Sequence, residues 1–173
     1  AQLINSFKEI AVDQSSEDSR EINIKEYIEE ILLSLRPILK KLPHEILIEC
    51  SENVYLETIP GAIAQVLTNM INNSIIHGFD DKSKGVIKIC ASKEKDVLNL
   101  NYQDNGKGLN EQQMKMLFEP FYTTKRGNGG SGLGAHLIYN LITSTLGGKI
   151  SAQSEPEQGL AYQMKIPCLK LAV

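Results

Sequence analysis

The spacing of apolar residues changes several times along the 173 residues, and each change marks an element. Leu3, Ile4, Phe7, Ile10 and Ala11 recur at helical spacing before the polar run Asp13-Gln14-Ser15-Ser16-Glu17-Asp18-Ser19, which predicts a helix end and then a linker. About thirteen residues make a marginal helix in water, so this stripe needs something to pack on. Between 24 and 41, Tyr27, Ile28, Ile31, Leu32, Leu35, Ile38 and Leu39 mark an amphipathic helix that Pro37 should kink or end. Ile46, Ile48 and Cys50, then Val54, Leu56 and Thr58, alternate with period two and predict strands. Pro60-Gly61 is expected to break the chain before a helix over 62–77. That helix carries Ile63, Val66, Leu67, Met70, Ile71 and Ser74 or Ile75 on one face, while Gln65, Asn69, Asn73 and His77 recur every four residues on another. Residues 86–91 and 97–102 read as a hairpin, placing Asp104 just past a strand end. Helical patterns return at 110–118 and 134–146, and strands at 149–154 and 161–167.

Hairpins interleaved with helices favour an α+β fold, a two-layer α/β sandwich with a mixed, mainly antiparallel sheet and helices on one face. Residues 1–20 are assigned to a helix tail plus linker, and 21–173 to one domain large enough to bury a core without disulfides. A net charge of −3 with scattered lysines and arginines gives no footprint for nucleic acid. No apolar run approaches about 18 residues and no signal peptide opens the chain, so the expectation is a soluble, cytoplasmic domain. The three cysteines, Cys50, Cys90 and Cys168, lack C-x-x-C spacing and are expected to be reduced, core-type thiols.

Residues 104–134 hold seven of the thirteen glycines. The clusters Asp104-x-Gly106-x-Gly108 and Gly130-Ser131-Gly132-Leu133-Gly134 flank an aromatic and basic segment, which suggests a loop wrapping a phosphorylated ligand. The second cluster runs into the apolar helical pattern Leu133, Leu137, Ile138 and Leu141, whose amino end would present unpaired N–H groups. The asparagine ladder of the 62–77 helix costs roughly half a kcal/mol per residue relative to alanine, so it calls for solvent or a ligand. Gly127-x-Gly129-x-x-Gly132 matches a dinucleotide-binding pattern by letter, but no apolar strand precedes it. His44-Glu45 follows Pro43 and opens a strand pattern, and His136 lies in a helix after the glycines. Neither reads as a phosphoacceptor.

Taken in order, Asn69-Met70-Ile71-Asn72-Asn73, Asp104-x-Gly106-x-Gly108, Phe118-Glu119-Pro120-Phe121 and Gly130-Ser131-Gly132-Leu133-Gly134 resemble the N, G1, F and G2 boxes of sensor histidine kinases, within the GHKL ATPases. The resemblance runs over residues 43–168 and implies ATP and Mg²⁺ as ligands. It makes Asn73 the Mg²⁺ ligand. It puts Asn69 where hydrolysing relatives carry a glutamate base, and asparagine cannot take a proton. That substitution points to a domain that withholds the γ-phosphate from water. It implies that His77 lies near the nucleotide, that Asp104 reads the adenine amine, and that Gly106 and Gly108 leave room for the purine. It makes Phe118, with Pro120, Phe121 and Tyr122, the anchor of a lid. Thr123, Thr124, Lys125 and Arg126 would close over the phosphates, Lys125 as the γ-phosphate cation, and Gly130, Ser131, Gly132, Leu133 and Gly134 would offer backbone N–H groups.

The implied function is γ-phosphoryl transfer from Mg-ATP to a histidine outside these residues, with Asn69, Asn73 and Lys125 carrying catalysis. The resemblance makes residues 1–20 the tail of a dimerisation helix plus linker and 21–173 the catalytic ATP-binding domain, and the implied partners are the protein's own dimerisation and phosphoacceptor domain and a response regulator receiver domain. The full-length protein would be a homodimer, with an inner-membrane anchor upstream of residue 1 left open. The rivals are a conformational ATPase of the gyrase or chaperone type and a degenerate kinase domain serving as a binding or dimerisation module. Two positions depart from the family pattern: Ala135 where leucine is usual, and Gly159-Leu160-Ala161-Tyr162 where Gly-Thr-x-Phe is common.

Overall fold

A computed structural model describes residues 10, 12–14, 16–79, 84–124 and 132–169. The chain runs β1 (Arg20–Asn23), α1 (Ile24–Leu39), β2 (Glu45–Cys50), β3 (Tyr55–Thr58), α2 (Pro60–Asn73), β4 (Val86–Glu94), β5 (Val97–Asp104), α3 (Glu111–Met116), α4 (Gly134–Asn140), β6 (Lys149–Ser154) and β7 (Leu160–Pro167). Five strands form one sheet in the order β2-β4-β5-β7-β6. The β2–β4 pair is parallel and the others antiparallel, which is the mixed sheet expected. β1 and β3 pair separately, Ile22 opposite Leu56.

The period-two pattern puts one face of the sheet inside. Ile87, Ile89, Leu98, Leu100, Tyr102, Met164 and Ile166 are buried, and Lys88, Asn101, Gln103, Gln163 and Lys165 lie on the other face. Against the apolar face sit Ile63, Val66, Leu67, Met70 and Ile71 of α2, with Ile28 and Ile31 of α1 and Ile138 of α4. Each such side chain removed from water contributes roughly 1.5–3 kcal/mol. Two layers suffice because only one sheet face is apolar.

Several boundaries differ from expectation. Pro60 starts α2 instead of breaking the chain before it, because at the first helical position its missing N–H is an orphan in any case. Pro37 does not stop α1. It sits exposed in the last turn, and the helix runs two residues beyond it. β1 escaped the sequence reading because four residues with one buried aliphatic, Ile22, show no period. Asn23 then caps α1, accepting from Glu26 N at 3.1 Å and donating to Glu52 O at 2.6 Å. Asp104 is the last residue of β5, opposite Ile87, and not beyond the strand. Of the cysteines, Cys50 and Cys168 pack on the core's edge, but Cys90 lies on the outer sheet face opposite Asn101, its thiol 3.5 Å from Glu49 Oε2.

Most of the predicted N-terminal helix lies outside the described residues. Its end, at residues 10 and 12–14, is helical and docks on the domain. Ile10 joins the core, Asp13 Oδ2 accepts from Tyr27 Oη and Arg20 at 2.9 Å each, and Gln65 Nε2 donates to the Gln14 carbonyl at 2.8 Å. Gly61 makes this approach possible, since a Cβ there would lie 1.8 Å from the Asp13 carbonyl oxygen.

His44 sits at the edge of β2, stacked on Phe79 with ring centroids 4.5 Å apart, and Gly85 N donates to its Nδ1 at 3.0 Å. Burial lowers its pKa below the ordinary histidine value. The unfolded chain therefore binds a proton that the native state resists. His44's contribution to stability is complete above the ordinary histidine range and falls as pH drops through it. The His44→Gln variant is expected to show a shallower loss of stability between about pH 7 and 5 in denaturant titrations.

Candidate functional site

α2 ends in a wider π turn over Ser74–Gly78, in which Phe79 N donates to Ser74 O at 2.9 Å. Such a turn costs regular helix geometry and recurs at functional sites. Here it opens a cleft of ≈ 390 Å³ between α2, the end of β5, the segment after α3 and the start of α4. Asn69, Asn73 and His77 all line it, as the four-residue ladder predicts, together with Asp104, Gly108, Thr123, Thr124, Gly132, Leu133 and Gly134. Gln65 begins the same ladder but turns away to hold Gln14. Lys125, Arg126, Gly130 and Ser131 lie outside the described residues.

Asp104 is 3% exposed, and its carboxylate is fully engaged on one side. Oδ1 accepts from Gly106 N at 2.9 Å and from Leu160 N at 3.2 Å, while Oδ2 accepts from Ser74 Oγ at 2.6 Å. Ser74 has one proton and spends it on Asp104, so Tyr102 Oη, 2.8 Å away, must donate to Ser74. Burial pushes Tyr102 well above the ordinary phenol range, which keeps that proton in place. A carboxylate offers about four lone-pair sites. Three are filled, and the open one is on Oδ2, beside Gly78.

The glycines act differently from one another. A Cβ at Gly78 would sit 3.4 Å from Asp104 Oδ2, so its absence keeps that side clear. Gly106 does not line the cleft. A Cβ there would strike the Gly78 carbonyl oxygen at 2.5 Å, so this glycine brings the loop after β5 against the π turn. Gly108 (φ +65°) and Gly159 (φ +73°) lock the same loop to the β6–β7 turn; Cβ atoms there would lie 2.0 Å from Glu155 O and 1.9 Å from Asp104 O. Gly134 lets α4 approach Asn73, whose Oδ1 would be 3.0 Å from a Cβ.

Asn69 donates from Nδ2 to Gln65 O at 2.8 Å, leaving its amide oxygen as the unspent end. His77 Nδ1 lies 3.2 Å from Thr124 Oγ1, joining α2 to the segment after α3. Phe118 packs behind the cleft wall on Tyr139 and Tyr162, with centroids 5.2 and 6.3 Å away, and is not itself in the lining. His136 holds this wall: a carbonyl can only accept, so Nδ1–H donates to Phe118 O at 3.0 Å and Nε2 faces Asn140 Nδ2 at 3.1 Å. Tyr162 lines the cleft, yet its hydroxyl is buried without a hydrogen-bond partner among the described residues. An unpaired buried hydroxyl costs roughly 1–3 kcal/mol. Tyr162→Phe is therefore expected to raise the ligand-free midpoint by about 2–12 °C in a thermal melt.

Sequence reasoning missed Ser74, Tyr102 and the Leu160 amide. The signal for Ser74 was present, since it is a hydroxyl on the apolar face of a helix and has to be satisfied there.

The family described as histidine kinase-, DNA gyrase B-, and HSP90-like ATPase matches residues 58–170. The chain belongs to this ATPase family. Within the family it is of the sensor histidine kinase type. The sensor histidine kinase RcsC of Escherichia coli is 30% identical over 170 residues, covering 95% of this chain and 17% of RcsC. The nucleotide-free catalytic domain of histidine kinase ThkA is 27% identical, with a TM-score of 0.75 over 87% of this chain and 96% of that one. ThkA in complex with the response regulator protein TrrA matches at 24% identity, with a TM-score of 0.71 over 87% of this chain and 42% of that one. The chain spans 17–20% of the length of the curated relatives it matches. It is a histidine kinase ATPase catalytic domain, and the gyrase and chaperone rivals find no support among these relatives. No helix among the described residues is long and apolar enough to cross a membrane.

Proposed function

We propose that the cleft binds Mg-ATP and presents its γ-phosphoryl group to a histidine on another segment, from which a response regulator takes it. The observation that carries this is Asp104, a buried carboxylate with three acceptor sites filled by the protein and one left for a ligand donor. Adenine has an amine to offer there, where guanine has a carbonyl. Asn73 is suited to Mg²⁺, which takes one or two protein oxygens and otherwise keeps waters and phosphate oxygens. Among the described residues no three His, Cys, Asp or Glu side chains form a cage that would compete for it. When bound, the ion neutralises charge on the phosphates.

Asn69 holds no proton-accepting group toward the phosphates, which favours transfer over hydrolysis. His77 and Thr124, 3.2 Å apart, both line the cleft. Lys125, next in sequence, supplies a flexible cation for the γ-phosphate. Catalysis of this kind is mainly positioning and charge neutralisation. The acceptor lies elsewhere because His44 and His136 are spent on structural hydrogen bonds and His77 lines the cleft itself. The regulator is proposed from ThkA, seen bound to one. A homodimer and a cytoplasmic setting, with any anchor outside these residues, complete the proposal.

Thermal unfolding with Mg²⁺ and a non-hydrolysable ATP analogue tests it. Ligand at about a hundred times its Kd adds roughly 2.7 kcal/mol, or about 5–10 °C here, and a GTP analogue should add far less. An unmoved midpoint with the ATP analogue would overturn the proposal.

A further inference from the structure

We infer that Ser74, held by Tyr102, is a specificity-determining positioning residue: it fixes the plane of the Asp104 carboxylate so that the open acceptor on Oδ2 meets the 6-amino group of a purine. This rests on the ATP site proposed above. The two backbone donors, Gly106 N and Leu160 N, both fall on Oδ1. Two anchors on one oxygen leave the carboxylate free to swing about it, and the terminal torsion of aspartate is intrinsically broad. Ser74 Oγ, 2.6 Å from Oδ2, is the contact that stops the swing. A serine hydroxyl alone would rotate. Tyr102 Oη occupies one of its lone pairs from 2.8 Å and thereby aims its proton at Asp104. Ser74 and Tyr102 are 3% and 1% exposed, so water does not compete for the relay. The π turn places Ser74 in the cleft wall beside Gly78, where the open side of Oδ2 lies.

The test measures Kd for two nucleotides, a non-hydrolysable ATP analogue and purine riboside triphosphate, which lacks the 6-amino group. Wild type, Ser74→Ala, Ser74→Thr and Tyr102→Phe are compared. Ser74→Ala should lose about tenfold on the ATP analogue and less than about twofold on the amine-free nucleotide. Ser74→Thr, which keeps the hydroxyl, should retain the wild-type ratio. Tyr102→Phe should lower the ratio in the same direction by a smaller factor, and it gives the same readout if Ser74→Ala does not fold. Equal weakening of both nucleotides, or no change in either, would overturn the relay while leaving the ATP site standing. Wild type that binds neither nucleotide would overturn the ATP site and the relay with it.

Discussion

Asp104→Asn is expected to weaken binding of a non-hydrolysable ATP analogue by roughly 10- to 100-fold, the loss of one hydrogen bond to a charged acceptor in a buried site. The substitution keeps volume and can keep an oxygen toward the Gly106 and Leu160 amides. The Oδ2 position then becomes an NH₂ group facing the Ser74 hydroxyl and the ligand amine. Three donors would meet where one acceptor stood. Calorimetric titration at constant Mg²⁺ measures the loss, and unchanged affinity would remove Asp104 from the base-reading role. The variant should also melt lower than wild type without ligand, because Ser74 and Tyr102 lose the acceptor at the end of their relay.

Gly159→Ala is expected to cost more than 3 kcal/mol and to lower the melting midpoint by about 10 °C, with loss of nucleotide binding. Gly159 sits at φ +73°, and its Cβ would lie 1.9 Å from the Asp104 carbonyl oxygen. Backbone cannot yield there as a flexible side chain would. Relief requires the β6–β7 turn to lift from the end of β5, which removes the Leu160 amide from Asp104. Gly147→Ala is the control: it also has a positive φ, +64°, but meets nothing nearer than Pro167 at 3.9 Å. Its loss should be limited to backbone strain of roughly 1 kcal/mol. If the two variants melted alike, close approach would not be the reason for glycine at 159.

Much of this was readable in the chain. Period-two alternation gave the hairpins, and the Gln65-Asn69-Asn73-His77 spacing brought three of its four members into the cleft. Most of what failed had a common cause. Gly106 looked like room for a purine because the sequence shows that a side chain is missing but not which atom needs the space. The structure assigns that space to the Gly78 backbone. Gly159 appeared only as part of a departure from a family pattern, and its importance depends on Asp104, which is far away in sequence. The reading of the 62–77 helix let Ser74 stand among apolar residues, whereas a buried hydroxyl there required a partner on another element. Pro60 was read by its ability to break structure, and the first turn of a helix is where that ability does not apply.

The three donors on Asp104 come from residues 2, 30 and 56 positions away along the chain. The Asp104 carboxylate therefore has no local folding unit of its own. The β4–β5 and β6–β7 hairpins can close early, since their strands are neighbours in sequence. The carboxylate is oriented only after α2 and the second hairpin have both docked against β5. Refolding watched through nucleotide binding should then lag refolding watched through hairpin amides. In native-state hydrogen exchange, the Leu160 amide should open with the whole domain and not by local fraying.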